Sequence, residues 1–299
     1  MFYQAQYTPS EPGFISIVLP CYNEEKAVAK VVGQVRHVMT GTGRPFEILV
    51  IDDASTDRTA EIVARMPDVR IITHAINQGS GASRRTGTIN ARGEIIVMLD
   101  ADGTYEARTI PKMLDLFPEY DQVNGARTSE KGTLKFIRMP TKWILRQLAI
   151  YISGHHIPDL NTGLKAYKRD VMLKYLWVLP DGFSCVTSMT LAFLTNGHPV
   201  KYVSTPYYKR IGKSKFHPVH DTAKYLTTIL RVMTFFRPLR VYLPVALLMI
   251  GGGILKSFFD FFLLAKHSLQ ESDIILICVG VLLGGVGLLA ELIVAQSRR

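Results

Sequence analysis

A chain of 299 residues has room for one large domain or two ordinary ones, and its 47% hydrophobic content exceeds that of an ordinary soluble protein. The net charge of +10 suits nucleic acid, anionic lipid or a phosphorylated substrate equally, so the placement of the charges has to choose among them. Three cysteines, Cys21, Cys185 and Cys278, have neither paired nor CxxC spacing, which argues against a disulfide framework or a cysteine zinc site and fits a reducing compartment.

The opening MFYQAQYTPSEPG lacks the basic-then-apolar pattern of a signal peptide. From Phe14 to Tyr120, apolar runs alternate with helical patterns, as in consecutive β-α units that build a parallel sheet. FISIVLP, FEILVID, VRIIT and EIIVMLD read as four buried strands. Between them, NEEKAVAKVVGQVRHVM and STDRTAEIVARM have helical spacing with polar starts suited to capping, and GASRRTGTINA reads as a further helix. In open sheets, ligands collect beyond the carboxyl ends of the strands. That rule selects Tyr22, Asn23 and Glu24 after the first strand, Asp52 and Asp53 after the second, and Asp100 and Asp102 after the fourth. No GxGxxG follows the first strand, and the glycines of NQGSGASRRTG match neither that motif nor a Walker A loop.

Beyond Asp121 the alternation decays. KFIRMPTKWILRQLAIYIS, residues 135–153, sets Lys135, Arg138, Lys142 and Arg146 beside Phe136, Trp143, Ile144 and Tyr151, with Pro140 marking the start of the helix. The stretch from His217 to Phe236 repeats the arrangement, with Lys224 and Arg231 beside Tyr225, Ile229, Val232 and Phe236. A basic face beside an aromatic, apolar one suits a helix lying in the headgroup plane of a bilayer, although an ordinary core helix shows the same pattern. Val241 to Ala265 and Ile274 to Ala295 are each long enough to cross a bilayer, which takes roughly twenty apolar residues at about 1.5 Å rise. Arg237 and Arg240 precede this hairpin and SRR follows it, so the positive-inside rule places both termini and the globular domain in the cytoplasm. Lys256 and Asp260, four apart in the first span, can pair on one face or snorkel at its far end. GGG at Gly251 and GGVG at Gly284 permit close helix packing. The expected organisation is a globular domain over 1–216, a juxtamembrane amphipathic helix over 217–240 and a transmembrane hairpin over 241–299. Basic residues that flank membrane-directed faces, rather than a groove lined by aromatics, argue against nucleic acid.

Asp100 and Asp102 sit one residue apart in MLDADGTYE. Such a pair can hold a hard divalent cation and leave coordination positions for water and a diphosphate, or it can simply open a polar turn. Mg²⁺ or Mn²⁺ suits these oxygen ligands. SIVLPCYNEE, VIDDASTDRT and MLDADGTYE, in this order and spacing, resemble the family 2 glycosyltransferases of the GT-A fold, an α/β class with a Rossmann-like mixed sheet. DLNTGLKAYKRD and KRIGKSKF, followed by the hairpin, resemble the polyprenyl-phosphate glycosyltransferases within that family, and the match covers almost the whole chain.

The resemblance implies that Pro20, Tyr22, Glu24, Asp52 and Asp53 hold the base and ribose of a nucleotide sugar, with Asp100 at the donor as well. It implies that Asp100 and Asp102 bind the metal, that Arg210, Ser214 and Lys215 close a cationic loop on the donor, and that Arg210, Lys215 and Arg127 share in catalysis. Arg127 corresponds to a family arginine near the phosphates, and Asp159 to a family aspartate with a catalytic or positioning role. Many members carry Gln two residues after the second aspartate; here Thr104 stands there and Glu106 lies further on, so Thr104, Glu106 or water completes the metal shell. Arg127, Lys135 and Arg138 are the expected contacts of an acceptor phosphate.

The implied reaction is inverting, metal-dependent transfer of a hexose from GDP-mannose, UDP-glucose or UDP-N-acetylglucosamine to a polyprenyl phosphate at the cytoplasmic membrane face. The implied partners are therefore the donor, the lipid acceptor and the bilayer, and a homo-oligomer is compatible with them. A processive polysaccharide synthase would carry QxxRW, which is absent. A non-catalytic scaffold or nucleotide-sugar sensor would have no need to keep these acids and cations together.

Overall fold

The computed structural model describes residues 9–128, 135–182, 184–211, 218–262 and 270–297. Ser214 and Lys215 lie outside the described residues. The chain forms two compact units, Met1–Thr228 and Ile229–Arg299.

In the first unit, β1 (Glu11–Cys21), α1 (Val28–Thr40), β2 (Phe46–Asp52), α2 (Thr59–Ala64), β3 (Val69–Thr73), α3 (Ser80–Asn90) and β4 (Gly93–Met98) follow the expected alternation. β1 is central, parallel to β2 and to β4, with Ile17 opposite Ile48 and Val97. Its run Ile15–Leu19 and the run Ile48–Ile51 of β2 are fully buried, as strands covered on both faces must be. The core face of α1 is Val28, Val31, Val32, Val35 and Met39, at helical spacing. α3 buries small residues instead, Gly81, Ala82, Ser83 and Gly87, which lets it press onto the sheet.

After α4 (Ile110–Leu114) come β5 (Gln122–Arg127), α5 (Lys135–Ser153), β6 (Lys165–Lys168), α6 (Arg169–Leu173), α7 (Cys185–Thr195) and β7 (Val200–Thr205). The seven-stranded sheet has the order β3-β2-β1-β4-β6-β5-β7. β6 is antiparallel to both β4 and β5, whereas β7 is parallel to β5. Only β6 runs backwards. The carboxyl ends of β1, β2, β4, β5 and β7 therefore share one edge with the segment that leads into β6, and this is how Asp159 and Gly163 reach the same place as Asp100.

α5 begins at Lys135, with Pro140 in its second turn rather than at its start. The side chains of 135–142 and 144, which include Lys135, Arg138 and Lys142, lie outside the described ones. Along the rest of α5, Leu145, Ala149 and Ile152 are buried while Trp143 and Tyr151 are exposed. α8 (Pro218–Phe236) departs from expectation: Ile229, Val232 and Phe236 are buried, and the exposed apolar side chains are Leu226, Leu230 and Phe235.

In the second unit, α9 (Leu239–Phe262) and α10 (Glu271–Ser297) form an antiparallel hairpin. Both are long and apolar enough to cross a bilayer, and most of their side chains are not buried. Glycines set their spacing: a Cβ on Gly280 would lie 2.9 Å from the Ala246 carbonyl oxygen, and one on Gly253 would lie 2.8 Å from Ile277 Cγ1. At one end of the hairpin, Lys256 Nζ donates to Asp260 (2.9 Å), Ser272 (2.9 Å) and Asp273 (2.6 Å), joining the two helices. At the other end, Glu291 accepts the backbone N–H of Leu239 (3.1 Å) and so caps the first turn of α9.

A Cβ on Gly87 would stand 2.3 Å from Val18 Cγ1. Gly87→Ala should therefore cost about 1–3 kcal/mol by overpacking, read as a lower urea midpoint at unchanged slope for the detergent-solubilised protein.

Candidate active site

The turn after β1 and the turn after β2 are tied together. Asn23 N–H donates to Ser55 Oγ (2.9 Å), Glu24 N–H to Thr59 Oγ1 (2.8 Å) and Thr56 N–H to Asn23 Oδ1 (2.8 Å). Asn23 has φ of 53°, a left-handed conformation that asparagine tolerates and that turns Glu24 back toward the sheet edge. Pro20 and Tyr22 are half-buried beside it.

The two aspartates that end β2 have different tasks. Asp53 accepts from Gln78 N–H (2.9 Å) and Gly79 N–H (2.8 Å) and pairs with His74 Nδ1 (2.7 Å), so its carboxylate shapes the loop leading into α3. Asp52 accepts from Ser55 N–H through Oδ2 (3.3 Å), while its buried Oδ1 has no hydrogen-bond partner among the described residues. A buried, unsatisfied acceptor is costly unless something else supplies a donor.

The acids after β4 are each met by an arginine. Asp100 pairs with Arg84 of α3, whose side chain is 2% exposed. Asp102 Oδ2 lies 3.2 Å from Arg210 Nε, and Arg210 Nη2 donates to Glu24 Oε1 (3.1 Å), so one guanidinium bridges two of the selected acids. Arg210 is carried there by backbone pairing: Tyr208 N–H donates to the Thr104 carbonyl (2.8 Å) and Ile211 N–H to that of Asp102 (3.1 Å). Burial and the neighbouring Asp100 charge push the Asp102 carboxyl up from its ordinary value, against Arg210 and Thr104, which pull it down.

Thr104 donates its hydroxyl (2.6 Å) and its N–H (3.0 Å) to Asp102 Oδ1. Glu106 faces Tyr208 Oη (3.4 Å) and Arg108 (4.0 Å). Thr104 therefore orients a carboxylate, and Glu106 is turned to its own neighbours. Among the described residues no three His, Cys, Asp or Glu side chains form a metal cage. The donor set is two adjacent carboxylates on a turn, with the Asp100 side chain 34% exposed. That set fits Mg²⁺ or Mn²⁺ only if diphosphate oxygens and water complete the shell.

Arg127, at the end of β5, holds Asp159 in a fork, Nε to Oδ2 at 2.7 Å and Nη2 to Oδ1 at 2.8 Å. Burial works to raise the Asp159 carboxyl, but the Arg127 hydrogen bonds and charge outweigh it and hold the group below the ordinary range. The Arg127 guanidinium also lies 5.2 Å from the centre of the Tyr207 ring. His155 and His156 are exposed loop residues.

A profile of glycosyl transferase family 2 matches residues 16–176, over half of the chain and including every acid of this edge. The chain belongs to glycosyl transferase family 2. Residues 237–295 match a second profile, the GtrB C-terminal hairpin. This transferase is 29% identical to a dolichyl-phosphate hexose transferase of Haloferax volcanii, over 73% of its own length and 93% of that protein. It is 27% identical to an undecaprenyl-phosphate 4-deoxy-4-formamido-L-arabinose transferase of Pectobacterium atrosepticum, over 93% and 88%. Its fold is that of glucosyl-3-phosphoglycerate synthase from Mycobacterium tuberculosis, solved with Mn²⁺, UDP-glucose and phosphoglyceric acid, at a TM-score of 0.59 and 18% identity, covering 74% of this chain and 80% of that one.

Sequence patterns missed several residues that the transferase fold brings to this edge. Arg84 sits in a helix of small residues with no apolar period to mark it. Tyr105 accepts the N–H of Gly163 (2.7 Å), a contact between segments far apart in the chain. Lys165 is fully buried on β6, donating to Thr190 Oγ1 (2.6 Å) and Asn124 Oδ1 (3.2 Å), and burial brings its amine down to about 7.

Two outcomes follow from these pairs. Arg127→Met, which strands a buried carboxylate, should cost about 3 kcal/mol of unfolding free energy, and Arg127→Met/Asp159→Leu should regain much of it. For Lys165, the folded value lies below the unfolded 10.5, so the unfolded chain binds the extra proton between the two. Stability should rise with pH from about 7 toward 10.5, by at most about 1.4 kcal/mol per unit. Lys165→Met should flatten that rise in urea titrations at stepped pH.

Proposed function

We propose that this transferase moves a hexose, with inversion, from a nucleoside diphosphate sugar to a polyprenyl phosphate at the cytoplasmic face of a membrane. The observation that supports this best is the convergence of Glu24, Asp100 and Asp102 with Arg84 and Arg210 at the carboxyl edge of the sheet, in a chain that also carries an apolar hairpin. The polyprenyl-phosphate transfer named for its relatives, and this chain's own match to the GtrB C-terminal hairpin profile, support the lipid acceptor.

Breaking the anomeric C–O bond builds positive charge at the sugar carbon and negative charge on the departing diphosphate. Asp100 and Asp102 would hold Mg²⁺ or Mn²⁺, which supplies Lewis-acid stabilisation of that leaving charge. Arg210, already fixed at the edge by the backbone of Asp102 and Thr104, adds a preorganised cationic donor. The resemblance adds Ser214 and Lys215, outside the described residues, to the donor contacts. Asp52 Oδ1 offers a buried acceptor to a base N–H, with Tyr22 and Pro20 beside it. Glu24 holds Arg210 and borders the ribose side.

The acceptor phosphate is already anionic at neutral pH and needs little general-base help. Asp159 serves by holding Arg127 rather than by taking a proton, because both its oxygens accept from that guanidinium. Arg127, with part of its guanidinium held by Asp159, would supply positive charge for the acceptor phosphate, and the resemblance adds Lys135 and Arg138 to that role. Exposed Trp143 and Tyr151 on α5 suit a headgroup plane. Arg237 and Arg240, just before the hairpin, support a cytoplasmic site by the positive-inside rule.

The test is incubation of membranes carrying the protein with polyprenyl phosphate and labelled GDP-mannose, UDP-glucose or UDP-N-acetylglucosamine, with Mn²⁺, with Mg²⁺ or with EDTA. One donor should give an organic-phase product that EDTA abolishes, and Asp102→Asn should lower the rate at least 100-fold. Failure of every donor would sink the reading.

A further inference from the structure

Arg84 is a fully buried cation on the small-residue helix α3, and its partners belong to the donor edge rather than to its own helix. One Nη2–H points at Asp100 Oδ1, and Nη1 lies 3.5 Å from the carbonyl oxygen of Gly163. The other side of the same carboxylate is also closed. A Cβ placed on Gly163 would stand 2.0 Å from Asp100 Oδ2, so bare glycine backbone packs against that oxygen. Gly163 is itself held at both ends, its N–H by Tyr105 Oη (2.7 Å) and its carbonyl by Arg84.

Asp100 is thus held between one guanidinium arm, whose sibling reaches the Gly163 carbonyl, and a glycine turn, while remaining 34% exposed, whereas Asp102 is oriented separately by Thr104. A buried arginine–carboxylate pair is a weak source of stability, because desolvating both charges offsets most of their attraction. Rotational control of an exposed carboxylate is what such a pair supplies. Partners that orient metal ligands typically change metal affinity by 10- to 100-fold when removed.

We infer that Arg84 is a positioning residue for the metal-binding pair: together with the bare backbone of Gly163 it fixes the rotamer of Asp100, so that one oxygen is aligned with Asp102 for a divalent cation. This rests on the reading of Asp100 and Asp102 as metal ligands. Arg84, itself buried, would act through Asp100. Two effects of the arginine oppose each other, since its charge competes with a cation for Asp100 while its hydrogen bond removes the rotamer entropy of the ligand. The grip from two sides makes orientation the larger effect, so loss of Arg84 weakens binding rather than strengthening it.

The experiment measures Mn²⁺ dissociation constants by electron paramagnetic resonance on the full-length protein in detergent, with saturating UDP or GDP, alongside thermal unfolding. Arg84→Met should raise the Mn²⁺ constant ten-fold or more, and Arg84→Lys, which keeps the charge without the second guanidinium arm, should recover only part of the loss. Gly163→Ala, which displaces Asp100 from the opposite side with Arg84 intact, should raise it as well and keeps the test alive if Arg84→Met does not fold. Affinity in folded Arg84→Met equal to or tighter than wild type would overturn the proposal and leave Arg84 a packing residue of α3. Wild type that binds no Mn²⁺ with either diphosphate would overturn the metal reading itself, and this inference with it. Wild type that binds while Asp102→Asn does not isolates the outcome to Arg84.

Discussion

Carboxylates gathered at one edge of a sheet repel one another, and the first unit depends on how that repulsion is answered. Four of the acids that sequence reasoning places there are matched by an arginine from elsewhere in the chain, Asp100 by Arg84, Glu24 and Asp102 together by Arg210, and Asp159 by Arg127, while Asp53 is met by His74 and backbone N–H groups. The compensation is incomplete at Asp102, whose carboxyl is pushed up by burial and by its neighbour Asp100. Half-buried opposite charges interact far more strongly than exposed ones. The edge therefore owes its arrangement to these paired charges.

The arginines reach their partners because of one topological choice. With β6 reversed between β4 and β5, the ends of β5 and β7 and the start of β6 all face the edge formed by β1, β2 and β4. Arg127, Arg210 and the Asp159–Gly163 turn come from positions 127 to 210, and the parallel half alone would hold none of them. The glycines of α3 and of the turn before β6 serve the same end, since Gly87 lets the helix sit on Val18 and Gly163 leaves room for Asp100.

The hairpin unit obeys the same rule about charges under different solvation. Lys256 answers Asp260 and Asp273 at one end, and Glu291 answers an unpaired helix N-terminus at the other. Between them, glycines replace side chains where α9 and α10 touch, because in a bilayer close packing rather than hydrophobic burial holds helices together.

Four strands, the first helices, both long apolar helices and the acids at the strand ends were legible in the chain itself, because period-2 and period-3.6 burial and the carboxyl-edge rule are local or nearly so. β5, β6 and β7 were not, since β5 and β6 open on the polar Gln122 and Lys165 and all three owe their pairing to distant partners. The setting of α8 was not legible for a related reason: Ile229, Val232 and Phe236 are apolar beside protein and beside lipid alike. Asp52 and Asp53 read alike in sequence, yet the fold commits Asp53 to the loop at Gln78 and Gly79 and leaves Asp52 with a buried free oxygen. Residue type and order determined which chemistry this chain could hold. Which carboxylate meets which arginine was decided by the reversed strand and by backbone pairing across a hundred residues, contacts that no local pattern encodes.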